Sequence, residues 1–180
     1  MSGEIRLHHG NLSFSGVSEG EGPLVLCLHG FPDCKDSYRH QLPFLAAHGY
    51  RAVSVSLRGY EPSSQPIDGD YSLESISGDV VAFIDQLGEE KAHLVGHDWG
   101  AAITYTVGAA APERFHSLTT MAVPHSGRFV NNAFFIPKQA LLSWYMLFFQ
   151  IRGVADWVVR RNNFEFIKGL WRSWSPNWTP

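Results

Sequence analysis

Gly96-His97-Asp98-Trp99-Gly100 is the stretch whose residue types point most directly to chemistry. A carboxylate stands between two glycines, after the short strand-like run 92–95 and before a helical segment over about 99–111 that Pro112 ends. A G-x-nucleophile-x-G turn of this kind is tight and strained, and side chains at its flanks would collide with neighbouring elements. It projects the central side chain above the carboxyl edge of a sheet, where open α/β sheets bind ligands. The carboxylate also falls at a helix amino terminus, whose dipole and free N–H groups favour the ionised form that a nucleophile needs. Alone, the same five residues read equally well as a glycine-rich turn with a capping aspartate.

The residue type decides the reaction. A serine nucleophile suits acyl transfer, whereas a carboxylate can displace a leaving group at a saturated carbon and form an ester. Water must then attack the Asp98 carbonyl, and the resulting oxyanion needs donors. A second motif, His29-Gly30-Phe31-Pro32-Asp33, follows the apolar run 24–28 and can aim a backbone N–H at the same place. The amides of Phe31 and Trp99 would together form an oxyanion hole. By itself this motif could be a plain strand-end turn.

The elements that must position these residues alternate. Two short alternating runs, 5–7 and 12–14, bracket Gly10-Asn11 and read as a hairpin. Residues 24–28 are continuously apolar, as in a strand buried on both faces of a parallel sheet. Asp36 or Ser37 can cap a helical stretch toward His48, bent or split by Pro43. Residues 51–57 read as a strand, 72–87 as an amphipathic helix and 115–123 as a further strand. The order strand, helix, strand, helix, strand, helix, strand implies an α/β fold with a mostly parallel sheet and helices on both faces. After Pro124 the texture changes: 1–125 reads as the α/β part, and 126–180 as helical and aromatic, with helices expected over 140–150 and 154–170.

Composition narrows the classes. The 180 residues are 44% apolar and 17% charged, as in a globular protein, and the net charge of -3 favours neither nucleic acid nor an anionic membrane. Six Trp, six Tyr and twelve Phe, many after residue 128, suggest an apolar cavity or ordinary core packing. The longest apolar stretch, 140–149, is too short to span a bilayer, and no secretory signal is seen. Cys27 lies in an apolar run, so free thiols in a reducing, cytoplasmic compartment are expected. No pair of histidines has zinc-ligand spacing with a third partner, so neither metal nor cofactor is expected.

With these blocks in hand, the sequence resembles the epoxide-hydrolase branch of the α/β-hydrolase family. The resemblance rests on residues 29–33, Arg39-His40-Gln41-Leu42-Pro43, Gly49-Tyr50-Arg51, Leu57-Arg58-Gly59-Tyr60, 94–100 and Pro112-Glu113-Arg114. It runs on through 171–180 in the style of the family's helical cap domain. It implies that a small-molecule epoxide, or alternatively a carbon–halogen bond, is opened by Asp98. Family members donate a proton to the leaving oxygen from two cap tyrosines, and Trp144-Tyr145-Met146 matches the segment of the first. Phe31, Pro32, Trp99 and Tyr145 are thereby implied as substrate contacts, and Phe31 and Tyr145 lean toward epoxide rather than halide.

The resemblance also breaks. The family's order is nucleophile, acid, then histidine, yet no histidine follows His125 here. Glu113, Asp156 and Glu165 are the carboxylates after Asp98, and none resembles the family's acid. The second cap tyrosine has no match, which suggests truncation within the cap. By the family pattern, His97 packs beneath the elbow and His29 is structural; His125 could approach the site. Ser56 stands where relatives carry Asp, and Glu61 where they carry Gly, which suggests a changed loop or backbone strain. The expectation is therefore ester formation without its hydrolysis, with three rivals: a dehalogenase, a self-associating non-catalytic module, or a chain completed by a missing segment or partner.

Overall fold

The structure, a computed structural model, describes residues 3–125, 127, 141, 143–151, 153–175 and 177. It divides into two compact units, Met1–Ser126 and Gly127–Pro180.

The first unit is a six-stranded sheet flanked by helices. Its strands are β1 (Gly3–His9), β2 (Leu12–Glu19), β3 (Leu24–Leu28), β4 (Arg51–Val55), β5 (Ala92–His97) and β6 (Phe115–Met121), in the order β1-β2-β4-β3-β5-β6. The first two are antiparallel to each other and β2 to β4; β4, β3, β5 and β6 run parallel. All five residues of β3 are buried because both faces of the sheet are covered at its centre. Leu24, Leu26 and Leu28 face a core shared with α2 (Leu73–Gln86) and α3 (Trp99–Ala110). Val25 and Cys27 point to the other side, where Tyr38 and, from α1 (Gln41–Ala47), Leu42 cover them. Each such buried aliphatic contributes roughly 1.5–3 kcal/mol.

Local chemistry sets the boundaries. Ser72 caps α2 by accepting from the Ser75 amide at 3.2 Å. The stretch expected to be bent or split at Pro43 is two short pieces, a 3-10 turn, Lys35–Tyr38, followed by α1. Pro43 is not the break: it sits in the first turn of α1, where a missing N–H costs nothing. The strands expected over 51–57 and 115–123 end earlier, at Val55 and at Met121, after which Ala122 takes a φ of 70°.

The second unit contains α4 (Trp144–Phe148), α5 (Val154–Arg160) and α6 (Glu165–Trp174). A single helix over 154–170 does not form. Asn162, Asn163 and Phe164 adopt left-handed angles between α5 and α6, a conformation asparagine tolerates better than most residues. Phe166 packs on Phe148 at 5.2 Å, and the Arg161 guanidinium lies 4.2 Å from the Trp157 ring centre. The start of the helix expected over 140–150, and residues 178–180 of the family-like segment, lie outside the described residues. Among the described residues no helix is long and apolar enough to cross a membrane.

Candidate active site

Asp98 sits between the end of β5 and the start of α3 with φ 54° and ψ −118°. That left-handed φ is uncommon for a side chain with a Cβ and costs of order 1–3 kcal/mol, so the surroundings must hold it. They do so in part through the Asp98 amide, which donates to the Met121 carbonyl at 3.2 Å, tying the turn to β6. Glycines make the close approach possible. A Cβ on Gly100 would meet the backbone of Leu28 and lie 2.9 Å from the His29 carbonyl oxygen. One on Gly96 would run into the Gly100 backbone and the Thr104 hydroxyl. Gly30 matters as much: a Cβ there would lie 2.9 Å from Asp98 Cγ and closer still to its Cβ.

The two sequence motifs meet at one hydrogen bond. The Phe31 amide donates to Asp98 Oδ1 at 2.9 Å. Phe31, Pro32 and Asp98 are half-buried, the Phe31–Pro32 peptide is cis, and the Trp99 side chain is 47% exposed as the first residue of α3. No hydrogen bond joins the Trp99 amide to the carboxylate among the described residues, so Phe31 is the oxyanion-hole candidate that touches Asp98. Tyr145 belongs to the second unit, half-buried, its ring 4.9 Å from that of Trp174.

Behind Phe31 stands a residue group that sequence reading credited only with a structural role. His29 is fully buried; its Nε2 accepts from the Leu57 amide at 3.1 Å and its Nδ1–H donates to the Gly30 carbonyl at 2.9 Å. This fixes a neutral Nδ1–H imidazole, and burial holds its pKa below the ordinary histidine value. Tyr60 packs edge-on against that ring at 4.5 Å; its phenol is pushed above its usual range by desolvation, then by the charges of Asp98 and Asp33. The loop carrying Leu57 and Tyr60 is anchored by Arg58, which makes two 2.7 Å bonds to the buried Asp79 carboxylate; His9 adds a third.

Two expectations are corrected. His97 does not pack beneath the elbow: its side chain is 43% exposed and its Nδ1 lies 3.5 Å from Asp33 Oδ2. The pleat alternates along β5, burying Leu94 and Gly96 and leaving His97 partly outside. Hydrogen bonding to Asp33 raises the His97 pKa, and the same contact lowers that of Asp33. Glu61 brings a changed loop contact but no strain. Its backbone is extended, and its carboxylate clamps Ser15, accepting from the amide at 2.5 Å and from the hydroxyl at 2.7 Å. His125 packs its ring 5.1 Å from that of Tyr105. Among the described residues no group of three or more His, Cys, Asp or Glu could hold a metal.

Residues 23–163 match the family described as alpha/beta hydrolase fold.

The chain belongs to that family.

Its relatives include "Epoxide hydrolase 2" of Siraitia grosvenorii, 38% identical over 159 residues covering 84% of this chain and 50% of the relative. "Epoxide hydrolase 4" of Homo sapiens is 36% identical over 174 residues, 95% of this chain and 48% of the relative. Among solved structures, an epoxide hydrolase from an endophytic Streptomyces matches with a TM-score of 0.66 and 38% identity, over 69% of this chain and 38% of that one. The chain thus spans about half the length of the curated relatives it matches.

Proposed function

We propose that this α/β-hydrolase chain opens an epoxide by attack of Asp98, forming an ester on that residue. The observation that carries the reading is the Phe31 amide bound to Oδ1 of a carboxylate projected by a strained turn. One oxygen is thereby held while the other stays available, and the C–O bond of the epoxide breaks as the Asp98 ester forms. Tyr145 is assigned as proton donor to the alkoxide, with Phe31, Pro32, Trp99 and Tyr145 contacting substrate. This assignment is supported by the family resemblance of the Trp144-Tyr145 segment. No metal or cofactor enters the reaction. Phe31 and Trp99 amides would serve the oxyanion when water attacks the ester.

For that second step no base is assigned among the described residues. Both His29 ring nitrogens are committed, and His97 is paired with Asp33. The ester should therefore persist unless further polypeptide, in the same protein or another chain, supplies the base. Free Cys27 and Cys34 suit a cytoplasmic setting.

The test is intact mass after incubation with a small aryl epoxide, beside Asp98→Ala and Tyr145→Phe. The expected result is a substrate-mass adduct on the wild type, none on Asp98→Ala, and slower labelling of Tyr145→Phe by roughly 10²-fold. Halide release from a haloalkane without epoxide labelling would make the chain dehalogenase-like. Neither reaction would leave a binding module.

A further inference from the structure

His29 lies between the chemistry and the loop behind it, and each of its ring nitrogens is used. Nε2 accepts from the Leu57 N–H, and Nδ1–H donates to the carbonyl of Gly30, the residue whose peptide bond carries the Phe31 amide. The Gly30 carbonyl oxygen and the Phe31 N–H belong to one planar peptide unit. Whatever orients that carbonyl therefore orients the N–H that donates to Asp98 Oδ1. Gly30 has no side chain to fix its own position, because none would fit beside Asp98.

We propose that His29 is a positioning residue for the nucleophile: in its neutral form, anchored on the Leu57 N–H, it holds the Gly30–Phe31 peptide against Asp98, and protonation at Nε2 breaks the anchor that keeps the ring and that peptide in place. The inference rests on Asp98 being the nucleophile and adds a control on it. A proton on Nε2 would face the Leu57 N–H, turning an acceptor–donor pair into two opposed donors in a fully buried place. One of the two would be left without a partner, which is costly away from water. The ring cannot move aside freely, since Tyr60 packs perpendicular to it and the Arg58–Asp79 pair anchors the loop bearing Leu57. The charged groups that act on His29 are Asp33 and Asp98, and both favour its protonated form, but burial outweighs them. The neutral state therefore holds at neutral pH and fails on acidification below the ordinary histidine value of about 6.5.

His29→Gln separates positioning from bulk. A glutamine can place a carbonyl oxygen near the Nε2 position to accept from Leu57, and it does not titrate. His29→Leu keeps the volume but neither accepts nor donates. The first readout needs no reaction: amide nitrogen shifts of Leu57 and Phe31, followed by NMR as the pH falls. Both should titrate together with the His29 ring in the wild type and stay flat in His29→Gln. The second readout is the rate of Asp98 labelling by the aryl epoxide. The wild type should lose at least ~10-fold as His29 protonates, in line with a misplaced nucleophile. His29→Gln keeps the Leu57 acceptor without the Nδ1 donor, so it should lose part of the neutral-pH rate and lack that acid limb, while His29→Leu should be slower still at every pH. Amides of Leu57 and Phe31 that ignore the His29 titration would overturn the proposal, as would a His29→Gln profile identical to the wild type. If no labelling occurs at any pH while the two amides still follow His29, the coupling stands and the nucleophile assignment fails instead.

Discussion

Adding one methyl group at Gly30 tests how closely the two motifs are packed. Gly30 has an ordinary backbone conformation, so Gly30→Ala should stabilise the chain by about 0.4–1 kcal/mol through the unfolded state if space were free. Space is not free. The new Cβ would lie 2.9 Å from Asp98 Cγ, with Cβ and Oδ1 of the same residue nearer still, and Asp98 is held by its own amide bond to Met121. Overpacking of this kind costs roughly 1–3 kcal/mol. Moving Asp98 also breaks the Phe31 bond to a charged group, worth about 1.5–3 kcal/mol. Steric loss therefore wins, by a net of about 2–5 kcal/mol in stability. Displacing the carboxylate should also slow Asp98 labelling roughly 10²-fold. Urea denaturation and intact-mass kinetics read the two effects, with Gly3→Ala, whose Cβ would meet nothing within 4 Å, as the open-space control. A Gly30→Ala chain as stable as that control, with labelling intact, would refute the packing argument.

Three further outcomes follow from the same geometry. Asp79→Asn leaves Arg58, whose side chain is 8% exposed, without its charge partner and should cost about 3–5 kcal/mol by urea denaturation; a loss below about 1 kcal/mol would mean the loop is anchored by other contacts. Glu61→Gly should lower stability by about 1–3 kcal/mol by removing both bonds to Ser15, with Glu61→Gln recovering part of it in thermal melts. The His97–Asp33 pair should give a small pH-dependent contribution, below about 1 kcal/mol because His97 is partly exposed. The folded His97 pKa is raised, so its share is fully present below about 6.5 and lost as pH rises through the folded value. The folded Asp33 pKa is lowered, so its share is present above about 3.9 and lost as pH falls through its folded value. The stability difference between wild type and His97→Gln should thus shrink between mildly acidic and alkaline pH; a difference that grows would contradict the pairing.

Local patterns explain what could be read from the residues alone. Five consecutive apolar residues, Leu24–Leu28, could only be satisfied inside a two-faced sheet, and Gly96 and Gly100 around Asp98 marked a turn that tolerates no side chains. What escaped depends on residues that meet only after folding. Arg58 and Asp79 lie 21 residues apart, and nothing local marks them as a buried pair. His97 was expected beneath the elbow from the family pattern, yet the strand's two-residue period turned it outward to Asp33. Gly30 carried no positive φ to advertise its role; the need is a close approach to Asp98, visible only in three dimensions. The helix expected over 154–170 followed apolar spacing and overlooked Asn162-Asn163, whose readiness to turn left-handed outweighed it. The pairing of Phe31 with Asp98 was legible because each motif follows a parallel strand, β3 and β5, and the two strands are neighbours.

The central claim is that an ester forms on Asp98 and then waits for a base. An exposed thiol, Cys34, could also be alkylated by an epoxide, so total mass alone does not locate the bond. The deciding measurement is peptide mass mapping of the labelled chain, with hydroxylamine treatment to cleave esters. Substrate mass is expected on the peptide containing Asp98, removed by hydroxylamine and otherwise stable over many turnovers' worth of time. A label confined to Cys34 and resistant to hydroxylamine, or diol released steadily with no ester retained, would contradict it.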